Sequence, residues 1–137
     1  MAGKEKLTVF MAEDDHDIAK HIEEVLGDRF KVTVHRAVSA EGVKEFIKSG
    51  RLEECHIAFM DNRLEGERDD KSATGHRSIR DLLRAEPGLP VIAMSSSSAS
   101  ETLAMRNGAK TFVDKMDFSI RPQSVIEHAE AHRRKLK

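Results

Sequence analysis

Cys55-His56-Ile57-Ala58-Phe59-Met60-Asp61 is the stretch that decides the fold: a short apolar run that stops on a carboxylate. An unbroken apolar run of this length suits a strand covered on both faces, as in a parallel sheet. Three further runs end in a similar way. Leu7-Thr8-Val9-Phe10-Met11-Ala12 stops at Glu13-Asp14-Asp15, Pro90-Val91-Ile92-Ala93-Met94 stops at Ser95, and Thr111-Phe112-Val113 leads to Asp114-Lys115. In an open parallel sheet the ligand crevice lies outside the carboxyl ends of the strands. Carboxylates, a hydroxyl and an ammonium gathered there suit one cation and one phosphoryl group.

Between these runs the apolar residues switch to helical spacing. Ile18, Ile22, Val25 and Leu26 mark a helix that Asp15 or Asp17 can cap and Gly27 closes. Lys31-Val32-Thr33-Val34-His35 alternates like a strand with one wetter face. Ser39 can cap a second helix with Val43, Phe46 and Ile47 inward. A third carries Ile79, Leu82 and Leu83 and ends at Pro87-Gly88. A weaker helix spans about 101–107 before Gly108, and a last one has Val125, Ile126, Ala129 and Leu136 on its inner face. The alternation predicts an α/β fold of five βα units with helices on both faces of a doubly wound parallel sheet. Right-handed crossovers leave few topologies, and the flavodoxin-like (βα)5 strand order 2-1-3-4-5 is one, with its switch point between the strands ending in Glu13-Asp14 and Asp61.

The chain has 137 residues, enough for one domain with a real core. Charged residues make up 34%, yet the formal net charge is −1, so no basic footprint for nucleic acid is present. The basic end Arg133-Arg134-Lys135-Leu136-Lys137 reads as complementing a helix dipole. The single Cys55 has no partner for an internal disulfide and reads as a buried thiol in a strand. The first apolar run falls far short of the roughly 20 residues that cross a bilayer, so no membrane association and a reducing, cytoplasmic setting are expected. His128 and His132 lie four apart on the last helix, but no third metal ligand stands near them in sequence.

With Ala12-Glu13-Asp14-Asp15, Phe59-Met60-Asp61, Ala93-Met94-Ser95 and Phe112-Val113-Asp114-Lys115 in register within five βα units, the chain resembles the receiver domain of two-component response regulators. The resemblance covers the chain from Leu7 to the last helix. It implies that Asp61 accepts a phosphoryl group from a sensor histidine kinase or a histidine phosphotransfer protein. It implies Mg²⁺ as cofactor, held by Glu13, Asp14, Asp61 and the backbone carbonyl of Arg63, with Glu13 acting through water. Ser95 and Lys115 would contact phosphoryl oxygens, and Ser95 with Phe112 would form the switch. Residues 1–137 are then expected to form a single receiver domain, its core over about 5–120 with a helix to 136, and no output domain. Output would pass to a downstream protein. Such a chain is better called a switch than an enzyme, although it would catalyse its own phosphotransfer and slow hydrolysis.

Three features depart from the family pattern. Met116 stands where a proline usually follows the lysine; a cis bond before a non-proline residue costs about 2.5–4 kcal/mol, which favours trans. Glu65 replaces a proline four residues after Asp61, and the polar stretch 67–74 lengthens the connection to the third helix. Ser96 in Ser95-Ser96-Ser97-Ser98 is bulkier and more polar than the usual alanine. These departures define the competing expectation, a pseudo-receiver that binds proteins without phosphorylation. The acid pair with Asp61, Ser95 and Lys115 weighs against it.

Overall fold

The computed structural model describes residues 5–61, 74–95, 101–114 and, toward the C-terminus, 127, 130 and 131. Five strands, β1 (Glu5–Ala12), β2 (Phe30–Ala37), β3 (Ile57–Asp61), β4 (Val91–Ser95) and β5 (Thr111–Asp114), form one parallel sheet in the order β2-β1-β3-β4-β5. Between them run α1 (His16–Gly27), α2 (Ala40–Lys48), α3 (Thr74–Ala85) and α4 (Glu101–Arg106). Glu127, Glu130 and Ala131 are helical, and Glu130 pairs with Arg29 at 3.0 Å.

Strand alternation sorts the apolar residues into two cores. Leu7, Val9, Met11, Ile57, Phe59, Ile92 and Met94 face Ala19, Ile22 and Leu26 of α1. Phe10, Ala12, Ala58, Met60, Val91 and Ala93 face Val43 of α2, Ile79 and Leu82 of α3, and Ala104 of α4. The continuous apolar runs of β1, β3 and β4 are thus consumed on both faces. Strand β2 lies at the sheet edge; Lys31 and Thr33 are exposed on one face, and Arg36 is exposed on the other, which it shares with the half-buried Val32 and Val34. Phe10 stacks on Phe46 of α2, ring centroids 4.5 Å apart.

Helix caps follow the side-chain chemistry. Of the two candidate caps for α1, Asp15 is the one: its Oδ1 accepts from the backbone N–H of Asp17 and Ile18. Ser39 Oγ accepts from the Gly42 N–H at the start of α2. Gly108 ends α4 at φ 105°, where only glycine sits without strain, and a Cβ there would stand 2.5 Å from Leu83 Cδ1. The tight seam between α4 and α3 depends on that missing atom.

The third strand starts later than its apolar run suggests. Arg51–Glu54 forms a 3-10 turn, Cys55 follows it, and β3 begins at Ile57. The reason is local: the Cys55 N–H donates to Leu52 O, and His56 is drawn to β1, its N–H donating to Thr8 O (2.8 Å) while its Nδ1 accepts from the Thr8 N–H (2.9 Å). Cys55 therefore caps the 3-10 turn in an extended conformation and lies outside the strand, though buried as expected.

Burial pushes the Cys55 thiol up to about 12 from 9.0, with the Glu54 carboxylate adding to the effect. The folded state holds the thiol proton more tightly than the unfolded chain. The resulting stability is whole below about pH 9 and is lost as pH rises toward 12. At pH 8.5 the native protein is expected to leave Ellman's reagent unreacted and to titrate one thiol in urea; full reaction of the folded protein would contradict this burial.

Candidate functional site

The sheet order makes β1 and β3 neighbours, and the pairing Ala12↔Met60 sets Glu13 level with Asp61 at their carboxyl ends. On the other side Asp61 pairs with Met94, so Ser95 stands one step beyond it on β4. Glu13, Asp14 and Asp61 each bring one carboxylate oxygen to within 4.8 Å of the others. Glu13 and Asp61 are buried and Asp14 is exposed, so the cluster has a closed floor and an open rim. Ser95 is also buried beside it on the sheet edge of the crevice.

The acidic loop is held from several directions. The Glu13 N–H donates to Ala37 O at 3.0 Å. Its side-chain Oε2 accepts from the Asp15 N–H at 3.1 Å, which turns the chain toward α1. Arg36 Nε donates to the Glu13 carbonyl oxygen at 2.9 Å, and Arg36 Nη1 lies 3.2 Å from His16 Nδ1. One residue, Asp15, thus both closes the acidic turn and caps the helix behind it.

Three carboxylate oxygens at this spacing repel one another strongly unless a cation sits among them. They are hard donors, the kind Mg²⁺ takes, and Asp14 on the rim is exposed to solvent. The donor set therefore fits the metal that the sequence suggests.

Glu13, Asp14, Asp61 and Ser95 are thus brought to one crevice. Phe112 is not in it: midway along β5 and half-buried, its ring packs against the core under α2, α3 and α4. Arg63, Lys115, the Lys115–Met116 peptide, Ser96, Glu65 and nearly all of the 67–74 stretch lie outside the described residues, as do His128 and His132. Arg36 and His16 are the site residues that motif reading missed. Their signal lay in the strand ends: β2 runs in register with β1, Arg36 opposite Met11 and Ala37 opposite Ala12, which sets a cation beside the acidic turn.

No protein-family model matches the chain, and no curated protein matches it in sequence. Solved structures do. The receiver domain of NtrX from Brucella abortus superposes with a TM-score of 0.71 at 24% identity, over 88% of this chain and 96% of that one. The BeF3-activated N-terminal receiver domain of RstA from Klebsiella pneumoniae gives 0.68 at 21% identity, over 91% and 97%. A longer NtrX chain, solved in complex with ATP, gives 0.73 at 26% identity, over 93% of this chain but 28% of its own. In fold, the chain belongs with the response regulator receiver domains.

Proposed function

We propose that the chain is a phosphorylation-dependent switch of a two-component or phosphorelay system, taking a phosphoryl group on Asp61. The observation that carries this reading is the placement of Asp61 between the Glu13-Asp14 pair and Ser95 at the carboxyl edge of the sheet. An oxygen of Asp61 attacks phosphorus, and the new O–P bond forms as the donor's N–P or acyl O–P bond breaks. Glu13, Asp14 and Asp61, with the Arg63 carbonyl, would hold Mg²⁺, which supplies positive charge to the transferring oxygens when bound. Ser95 offers a hydroxyl to one phosphoryl oxygen, and Lys115 offers an ammonium to another. Asp61 is buried on its floor, which keeps the acyl phosphate away from bulk water.

The donor is a histidine kinase or a histidine phosphotransfer protein, and the output is a downstream protein that prefers one of two conformations. Phosphorylation shifts the balance between them, with Ser95 sensing the phosphoryl group and Phe112 changing its packing. Phe112 is only half-buried, so such a change does not start from a fully enclosed ring.

Acetyl phosphate with Mg²⁺ is expected to add about 80 Da, one phosphoryl group, to the intact protein. The adduct should vanish in Asp61→Asn and in EDTA. Absence of any adduct in the wild type, with beryllofluoride also leaving the amide spectrum unchanged, would refute the reading and favour a binding module that works without phosphorylation.

A further inference from the structure

The geometry points to Arg36 as a positioning residue for the metal site: its Nε–H holds the Glu13 carbonyl so that the next residue, Asp14, presents its carboxylate to Asp61. The inference deepens the phosphoacceptor reading and rests on it. Both backbone polar groups of Glu13 are taken by the end of β2, the N–H by Ala37 O and the carbonyl by Arg36 Nε. The peptide that leads into Asp14 is therefore pinned at its oxygen. Asp14 itself is exposed. Its direction depends on that peptide plane.

The guanidinium reaches further, to His16 Nδ1 at 3.2 Å in the first turn of α1. Arg36 thus spans the acidic turn from the strand that precedes α2 to the helix that follows the turn. Two effects of this cation on a metal oppose each other. Its charge disfavours a second cation nearby, whereas its hydrogen bond orders a ligand in advance. Arg36 is exposed, so water screens the charge term, while the hydrogen bond to a carbonyl is set by geometry. Positioning is the larger effect.

Side-chain reach separates the two. Glutamine places its Nε2 the same number of bonds from Cα as the arginine Nε, so Arg36→Gln keeps a donor to Glu13 O without the charge. Arg36→Met has a similar length and no donor. Calorimetric titration of the full chain with Mg²⁺ is expected to show about tenfold weaker binding for Arg36→Met, the effect of one lost hydrogen bond. Arg36→Gln should bind within about twofold of wild type on the same scale. Amide shifts of Asp14 in metal-free protein should move in Arg36→Met and stay in Arg36→Gln. Equal Mg²⁺ affinity in Arg36→Met and wild type overturns the proposal. Equal strengthening in both variants overturns it too, because charge would then be the cause, and equal weakening does so because the donor that glutamine keeps would then have no effect. A wild type that binds no Mg²⁺ overturns the phosphoacceptor reading and the proposal together, whereas wild-type binding with unaffected Arg36→Met overturns the proposal alone. A lower melting temperature in Arg36→Met with unchanged Mg²⁺ affinity likewise counts against it, since a purely structural role would do that.

Discussion

Asp14→Asn is expected to weaken Mg²⁺ binding by about tenfold or more, because the charge count of the oxygen ligands sets the affinity of such sites. Phosphorylation by acetyl phosphate at limiting Mg²⁺ should fall with it. Stability should move the other way. In the metal-free protein Asp14 stands within 4.8 Å of two buried carboxylates, and removing its charge relieves repulsion. Asp14 is exposed, so the relief is below about 1 kcal/mol, or a rise of up to about 5 °C in melting temperature. The chain has neither Trp nor Tyr, so circular dichroism is the suitable probe of melting. Adding Mg²⁺ should raise the wild-type melting temperature above that of the variant and reverse the order. An Asp14→Asn protein with wild-type Mg²⁺ affinity would remove Asp14 from the ligand set.

Phe59→Ala is the substitution expected to damage the fold most. Phe59 sits in the middle of β3, the central strand, with no exposed surface, among Val9, Met11, Ile57, Ile92 and Met94. Truncating a ring in such a place costs about 3–5 kcal/mol, against a total stability of about 5–15 kcal/mol. The urea midpoint should fall by more than about 1 M, and the circular-dichroism signal of the fold should weaken at 37 °C. Phe112→Ala, on the edge strand β5 and half-buried, should cost clearly less. A midpoint shift for Phe59→Ala no larger than that for Phe112→Ala would contradict the two-faced core.

The sheet order and the meeting of Glu13, Asp14 and Asp61 were legible because both follow from where apolar runs stop. Continuous runs such as Val9–Ala12 and Ile57–Met60 announce strands covered on two sides, and whatever follows them falls on one edge. Ser39 was legible as a cap because its hydroxyl has a helical pattern directly after it. The start of β3 was not. Nothing in the composition of Cys55-His56 says that the imidazole will take the place of a carbonyl and accept from Thr8, delaying the strand. Arg36 was illegible for a similar reason. Exposed arginines are common on edge strands, and only the register with β1 places this one against the Glu13 carbonyl.

The eight-residue edge strand has one more consequence, for solubility. An exposed edge of that length offers unpaired backbone groups to any other chain in a crowded solution. Alternation places Lys31 on the side of Ala37 and Arg36 on the side of Val32 and Val34, and both cations are exposed. A foreign strand that docked there, whichever way up, would have to desolvate a charge on each side of the sheet. The same residue that pins the acidic turn thus also acts as a gatekeeper against aggregation.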